Sequence, residues 1–249
     1  VLCHRLRQIR QRTTLPVLIA FTYQWQRDTL LEQCLSQNFR YYQVFWWNGP
    51  RLTKPIKNAG GTVLWQVGSP QQAEEALECG ADILIIQGTE AGGQVRSPYA
   101  LHELVNSIQT LTGGATPIVA GGGLADAQDV ARVLSWGASA ALLGTRFLLS
   151  EEACASRQSK MRLLRASADA LFLDPKIIGD WPCVPRRRLV TARGEDRTDL
   201  FAGLGLSCMT KLLPVGEIVR RLQQDTPAAN AYPVRQIPTP SPGILTATS

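Results

Sequence analysis

The stretch whose reading decides the fold is Ile83-Leu84-Ile85-Ile86 followed by Gln87-Gly88-Thr89-Glu90-Ala91-Gly92-Gly93-Gln94. It is joined by Pro117-Ile118-Val119-Ala120 followed by Gly121-Gly122-Gly123-Leu124-Ala125-Asp126, and by Ala140-Ala141-Leu142-Leu143 followed by Gly144-Thr145-Arg146-Phe147. Each is read as a buried apolar strand ending in glycine. Apolar runs without alternation are what parallel strands covered on both faces look like, and parallel strands need helical crossovers. One crossover is legible after the second run. Asp126 is placed to N-cap a helix with Val130, Val133 and Leu134 on one side, and Gly137 closes it. Bare glycine turns let backbone N–H groups approach an anion, and the helix that follows adds the positive end of its dipole. In a (β/α)8 barrel the loops after the last two strands often hold a phosphate in this way.

Working outward, Leu2 to Gln11 is a basic helical pattern, and strands are expected at Pro16 to Phe21, Tyr42 to Trp47 and Thr62 to Val67. Helices are expected around Leu30 to Leu35, from about Leu52 to Asn58, and from Ser69 through Leu77. The joints Ala59-Gly60-Gly61-Thr62, Cys79-Gly80-Ala81-Asp82 and Trp136-Gly137-Ala138-Ser139 repeat one device, a helix stopped by glycine and a strand begun. The expected fold class is α/β, a TIM-type (β/α)8 barrel with six parallel strands present. Six of eight leaves two exposed parallel edges. Phe45, Trp46 and Trp47 read as core and rim packing.

The three motifs in this order resemble the nitronate monooxygenase (2-nitropropane dioxygenase) family of FMN-dependent barrels, which oxidise nitroalkanes or their nitronates. The FMN-type enoyl-ACP reductases share the same motifs, so the resemblance names a superfamily before it names a reaction. It implies an N-terminally truncated FMN-binding domain over residues 1–222, beginning at the family's second helix. Backbone N–H groups of Gly122, Gly123, Gly144 and Thr145 would hold the flavin phosphate. Gln87, Gly92 and Gly93 would line the isoalloxazine and ribityl side, with Leu142 and Leu143 on the strand beneath. The implied substrates are a small nitronate and dioxygen, giving carbonyl and nitrite.

Two positions depart from the family pattern. After Ala-Gly-Gly the family has histidine and this chain has Gln94, taken here as the catalytic position. An amide can donate a hydrogen bond to a nitro group, but it takes up no proton at neutral pH. Gln94 therefore permits oxidation of nitronates and argues against direct oxidation of nitroalkanes. Ala20 stands where the family has asparagine against the flavin. Besides an enoyl reductase using a nicotinamide, the alternative is a non-catalytic paralogue with a degraded flavin site. His4 and His102 are read as bystanders.

The net charge of +6 is spread over Arg5 to Arg12, Arg186-Arg187-Arg188 and Arg220-Arg221, a pattern read as solvated faces, not nucleic-acid binding. No apolar stretch reaches the roughly 18 residues needed to span a bilayer. Six dispersed cysteines without a C-x-x-C pair indicate reduced thiols and a cytoplasmic setting, with no metal site. Downstream, Ser150-Glu151-Glu152 is expected to open a long helix to about Ala168. Asp174 to Arg188 resembles the irregular region that family members place beside the active-site mouth, Leu212 to Leu222 resembles their C-terminal helix, and 223–249 reads as a disordered Pro-rich tail.

Overall fold

Parallel pairing follows the chain. In the computed structural model, which describes residues 2–21, 28–45, 49–175, 185–189 and 200–226, helices and strands alternate from the start. They run α1 (Leu2–Arg12), β1 (Leu18–Phe21), α2 (Asp28–Ser36), β2 (Tyr41–Phe45), α3 (Gly49–Asn58), β3 (Thr62–Val67), α4 (Pro70–Glu78) and β4 (Ile83–Gln87). Then come β5 (Gly93–Gln94), α5 (Leu101–Thr112), β6 (Ile118–Gly121), α6 (Ala127–Ser135), β7 (Ala140–Leu142), α7 (Thr145–Leu148) and α8 (Arg157–Arg165). The described chain ends with β8 (Leu171–Asp174), β9 (Arg186–Leu189), β10 (Leu200–Phe201) and α9 (Val215–Gln224).

One sheet has six strands in the order β1-β2-β3-β4-β6-β7. The fold is thus of the (β/α)-barrel type with six of its parallel strands. Its inner strands are fully covered, as continuous apolar runs require: every residue of β3 is buried, and so are Ile83 to Ile86 of β4. Its outer strands are not. Leu18 is 39% exposed in β1 and Leu142 is 39% exposed in β7. The expectation of a buried third run over Ala140–Leu143 is therefore corrected. The strand stops at Leu142 and is half-open because, among the described residues, it pairs on one side only.

Contacts divide the described residues into two compact units, 2–67 with 71–84 and 68–70 with 85–226. In the first, Phe39, Tyr42, Val44, Ile56, Val63 and Val67 are wholly buried. Polar atoms inside it find partners: Gln43 Nε2 donates to Gln66 Oε1 at 2.8 Å and the Tyr42 hydroxyl to the Phe39 carbonyl at 3.0 Å. The glycine joint is pinned by Asp82, which accepts from the Val63 N–H at 2.8 Å and pairs with Lys57. Helix α3 begins at Gly49, three residues before the expected Leu52, where the backbone passes directly over the Trp65 ring. Trp46 and Trp47 lie outside the described residues.

In the second unit Asp126 caps α6 as expected, its carboxylate accepting from the Asp129 N–H at 3.0 Å. The long helix expected from Ser150 to Ala168 is corrected to α8, which starts seven residues later under a Ser156 cap. The carboxylates read as its opening do other work. Glu152 accepts from the Val215 N–H at 2.9 and 3.0 Å and so caps α9, while the Ser150 and Glu151 carbonyls accept from buried Lys160 at 2.7 and 3.1 Å.

The region expected to be irregular holds part of a second, antiparallel sheet: β9 pairs with β5, β8 and β10. Its inner face rests on a cluster of Leu149, Leu163, Leu171, Leu200, Ala202, Leu206 and Met209. Burying one such leucine contributes about 1.5–3 kcal/mol. Trp181 and Pro182 lie outside the described residues. Helix α9 runs through Gln224, and the Pro-rich stretch after Thr226 also lies outside them. Among the described residues no helix is long and apolar enough to cross a membrane.

Candidate active site

The three glycine turns lie together at one end of their strands. The first meets the second backbone to backbone: the Gly88 N–H donates to the Gly121 carbonyl at 3.1 Å, and a Cβ on Gly122 would lie 3.2 Å from the Ala91 nitrogen. Gly122 has φ +123° and Gly123 φ +71°, where L side chains are strained, so the second turn needs glycine for its path as well as for room. The third turn joins through the Thr145 hydroxyl, which accepts from the Gly203 N–H at 3.0 Å.

Gly203 belongs to a segment that the sequence reading passed over, Ala202-Gly203-Leu204-Gly205. Its Leu204 N–H donates to the Glu90 carbonyl at 2.9 Å, and a Cβ on Gly205 would fall 2.3 Å from the Gly123 carbonyl oxygen. The available signal was Gly203-x-Gly205, a pair of small residues. One strap thus touches all three turns.

A second missed residue is Arg187. The run Arg186-Arg187-Arg188 was read as a solvated face, and that is corrected for its middle member, which is 9% exposed. Its Nε donates to the Ala91 carbonyl at 3.2 Å and its NH2 to the Thr89 carbonyl at 2.9 Å. Burial pushes the guanidinium pKa down, and nearby Glu90 opposes this in part. Glu90 itself accepts from the Leu101 N–H at 3.0 Å, fixing the first turn to the start of α5. Arg146 plays a similar part for the third turn, donating to the carbonyls of Leu149 at 3.2 Å and Lys211 at 2.9 Å. Burial, then the neighbouring Arg221, push its pKa down.

Gln87 is half-buried, and its Nε2 donates to the Gln94 carbonyl at 3.0 Å. Its Oε1 is buried and accepts from no group among the described residues. Gly92 and Gly93 follow, with Gly92 pressed on Ala202 and Gly93 paired with Arg187 in the β5–β9 ladder. Gln94 is half-buried opposite Arg186. Gly144 is exposed, and a Cβ there would meet nothing within 4 Å. Among the described residues the N–H groups of Gly122, Gly123 and Gly144 donate to no protein acceptor. Leu142 is exposed and Leu143 half-buried. Ala20, His4 and His102 are all exposed, and the His102 ring lies tilted against Trp136 with ring centres 6.0 Å apart. A cavity of about 440 Å³ is walled by Asp126, Arg146, Lys211, Arg221 and Asp225 among others; no residue of the first turn lines it.

Parallel strands alternating with helices, with glycine turns gathered at the strand ends, define a (β/α)-barrel class. The sequence profile described as nitronate monooxygenase matches residues 44–180. The chain belongs to the nitronate monooxygenase family, whose members are flavin-dependent oxidoreductases. A nitronate monooxygenase, npaC, of Metarhizium robertsii is 37% identical over 125 residues, covering 47% of this chain and 35% of its own. A (3aS,4S,5R,7aS)-5-hydroxy-7a-methyl-1-oxo-octahydro-1H-indene-4-carboxyl-CoA dehydrogenase of Mycobacterium tuberculosis is 32% identical over 142 residues, 57% of this chain and 39% of its own. The chain thus spans about two fifths of these relatives. Among solved structures, FabK from Thermotoga maritima superposes with a TM-score of 0.79 at 22% identity, over 90% of this chain and 80% of that one.

Proposed function

We propose that this domain binds FMN at the converging turns and oxidises small alkyl nitronates with dioxygen, releasing carbonyl and nitrite. The observation that supports the reading is the set of unused backbone amides at Gly122, Gly123 and Gly144, on turns that the strap at Gly203 and Gly205 ties together. Donors fixed in this way suit a phosphate without a lysine. The Thr145 hydroxyl is engaged with Gly203, so Thr145 would serve through its N–H. The orphaned Gln87 Oε1 fits the same group, since a flavin ring carries an N–H donor that a buried carbonyl oxygen can accept. Bound flavin would accept the substrate's electrons and pass them to dioxygen.

The chain's own residues decide which substrate suits the site. Gln94 can donate through its amide and cannot remove a proton, so the substrate that fits is one already deprotonated. Arg187 and the strap keep the first turn rigid behind it. Residues 1–222 are proposed to act as one flavin-binding domain, in a cytoplasmic setting. The test is purification with FMN followed by absorbance between 350 and 500 nm and oxygen uptake with propane-2-nitronate. Flavin retention with oxygen uptake is expected, and colourless protein after FMN loading would overturn the reading. The FabK likeness favours a second reading, an enoyl-thioester reductase, which NADPH consumption with an enoyl thioester would reveal.

A further inference from the structure

We propose that the cavity between the start of α6 and α9 binds a phosphate group, apart from the turns assigned to flavin. Its volume of about 440 Å³ falls among small-molecule sites, which run from roughly 300 to 1,000 Å³. Gly122, Gly123, Gly144 and Thr145 do not line it. Leu213, Ile218 and Leu222 give it an apolar wall, and Arg146, Lys211 and Arg221 give it a cationic one. Arg146 is 7% exposed, and its partners among the described residues are carbonyls, not carboxylates. Its NH2 serves Leu149 and Lys211, while its Nε is buried with nothing to donate to. A buried cation left one donor short is costly until an acceptor completes it.

The rest of the lining points the same way. The exposed Lys211 ammonium makes no ion pair among the described residues. Burial and then Arg221 depress the Arg146 pKa, so a bound anion would relieve a like-charge contact already present. Ala127 and Gln128 open α6, line the cavity, and have N–H groups that donate to no protein acceptor among the described residues. The nine-residue helix puts the positive end of its dipole there. Asp126 and Asp225 are the carboxylates of the lining, and Asp126 is turned back to the Asp129 N–H. Glu217, outside the lining, is shared by Arg220 and Arg221. Three cations against two carboxylates leave the lining one positive charge in excess. Residues 227–249, which follow α9 in the chain, contain no Asp or Glu. A phosphate takes a fork from a guanidinium and single bonds from an ammonium and helix amides, which is the donor set present.

The experiment titrates inorganic phosphate into the protein by calorimetry before and after FMN loading, with sodium chloride at matched ionic strength as the screening control. The variants are Arg146→Met, a double variant Lys211→Ala with Arg221→Gln at exposed positions, and Arg165→Gln as an exposed arginine outside the lining; circular dichroism checks folding. The double variant, and Arg146→Met where it folds, are expected to raise the phosphate Kd about tenfold or more, and Arg165→Gln less than twofold, with flavin absorbance unchanged. Phenyl phosphate binding more tightly than inorganic phosphate assigns the site to an ester, and the reverse order assigns it to the free ion. Protein that retains no flavin would sink the flavin reading while the same titration still decides this site. Phosphate heats no greater than those of chloride, equal Kd in wild type and the folded double variant, or phosphate binding abolished by FMN loading overturns the proposal.

Discussion

Gly92 runs so close to Ala202 that a Cβ added to it would lie 2.4 Å from the Ala202 carbonyl carbon and 2.5 Å from the Gly203 nitrogen. Neither neighbour is a side chain that could swing away. Gly92→Ala must push the strap off the first turn, costing about 1–3 kcal/mol by overpacking. The loss is expected in urea unfolding together with weaker FMN retention; a variant of unchanged midpoint would show that the strap is loosely held.

Arg187 supplies the partners of two turn carbonyls, Thr89 and Ala91. Arg187→Met keeps much of the stem's packing and leaves those oxygens without a donor, at about 1–3 kcal/mol each for a buried acceptor. Arg187→Lys reaches with one ammonium where a fork is needed, so it is expected to recover less than half of the loss. Thermal unfolding of the three proteins measures this, and a methionine variant as stable as wild type would contradict it.

What could be read in advance was what repeats. Ile83 to Ile86 announced a covered strand through apolar continuity alone, and Asp126 announced a helix start through a local capping rule that tertiary packing left intact. The second sheet was hidden because β5 and β10 have two residues each, too short for any period to register. Arg187 was hidden because three consecutive arginines look the same whether or not the middle one faces a pair of carbonyls. Glu152 misled for a related reason: Ser-Glu-Glu opens helices, and nothing local reveals that this carboxylate reaches a helix 63 residues away. Gln94 was legible as a residue type, but its nearness to Arg186 depends on strand register, which only the folded pairing supplies.

Burial pushes the Tyr42 hydroxyl pKa well above its ordinary value near 10, with Cys34 adding to the rise and Arg40 and Arg10 opposing it. Folded Tyr42 thus keeps its proton at pH values where the unfolded chain releases it. The stability it contributes is complete below about pH 10 and declines as pH rises above that. Tyr42→Phe is expected to lose about 1 kcal/mol at pH 8, from the hydrogen bond to Phe39, and to show a shallower decline between pH 9.5 and 11. Urea unfolding across that range tests the sign, and identical slopes in both proteins would refute the assignment.

Because Glu152 caps α9 and takes no part in opening α8, Glu152→Ala should be felt at Val215. Loss of an exposed carboxylate cap is worth about 0.5–1 kcal/mol. Amide exchange at the first turn of α9 is expected to quicken several-fold while α8, capped by Ser156, is unaffected. Quickening confined to α8 would restore the reading of a long helix from Ser150.

Replacing Gln94 with histidine is the sharpest test of the substrate argument, because it returns a base to the one position where the family has it. Neutral imidazole can remove the acidic proton next to a nitro group, so Gln94→His should oxidise 2-nitropropane where wild type does not. Activity should rise with pH as the ring loses its proton. Oxygen uptake with 2-nitropropane from pH 5 to 9 reads both the gain and its rise with pH. A Gln94→His variant that still holds flavin and oxidises nitronates, yet shows no nitroalkane turnover at any pH, would mean that position 94 does not face the reacting carbon.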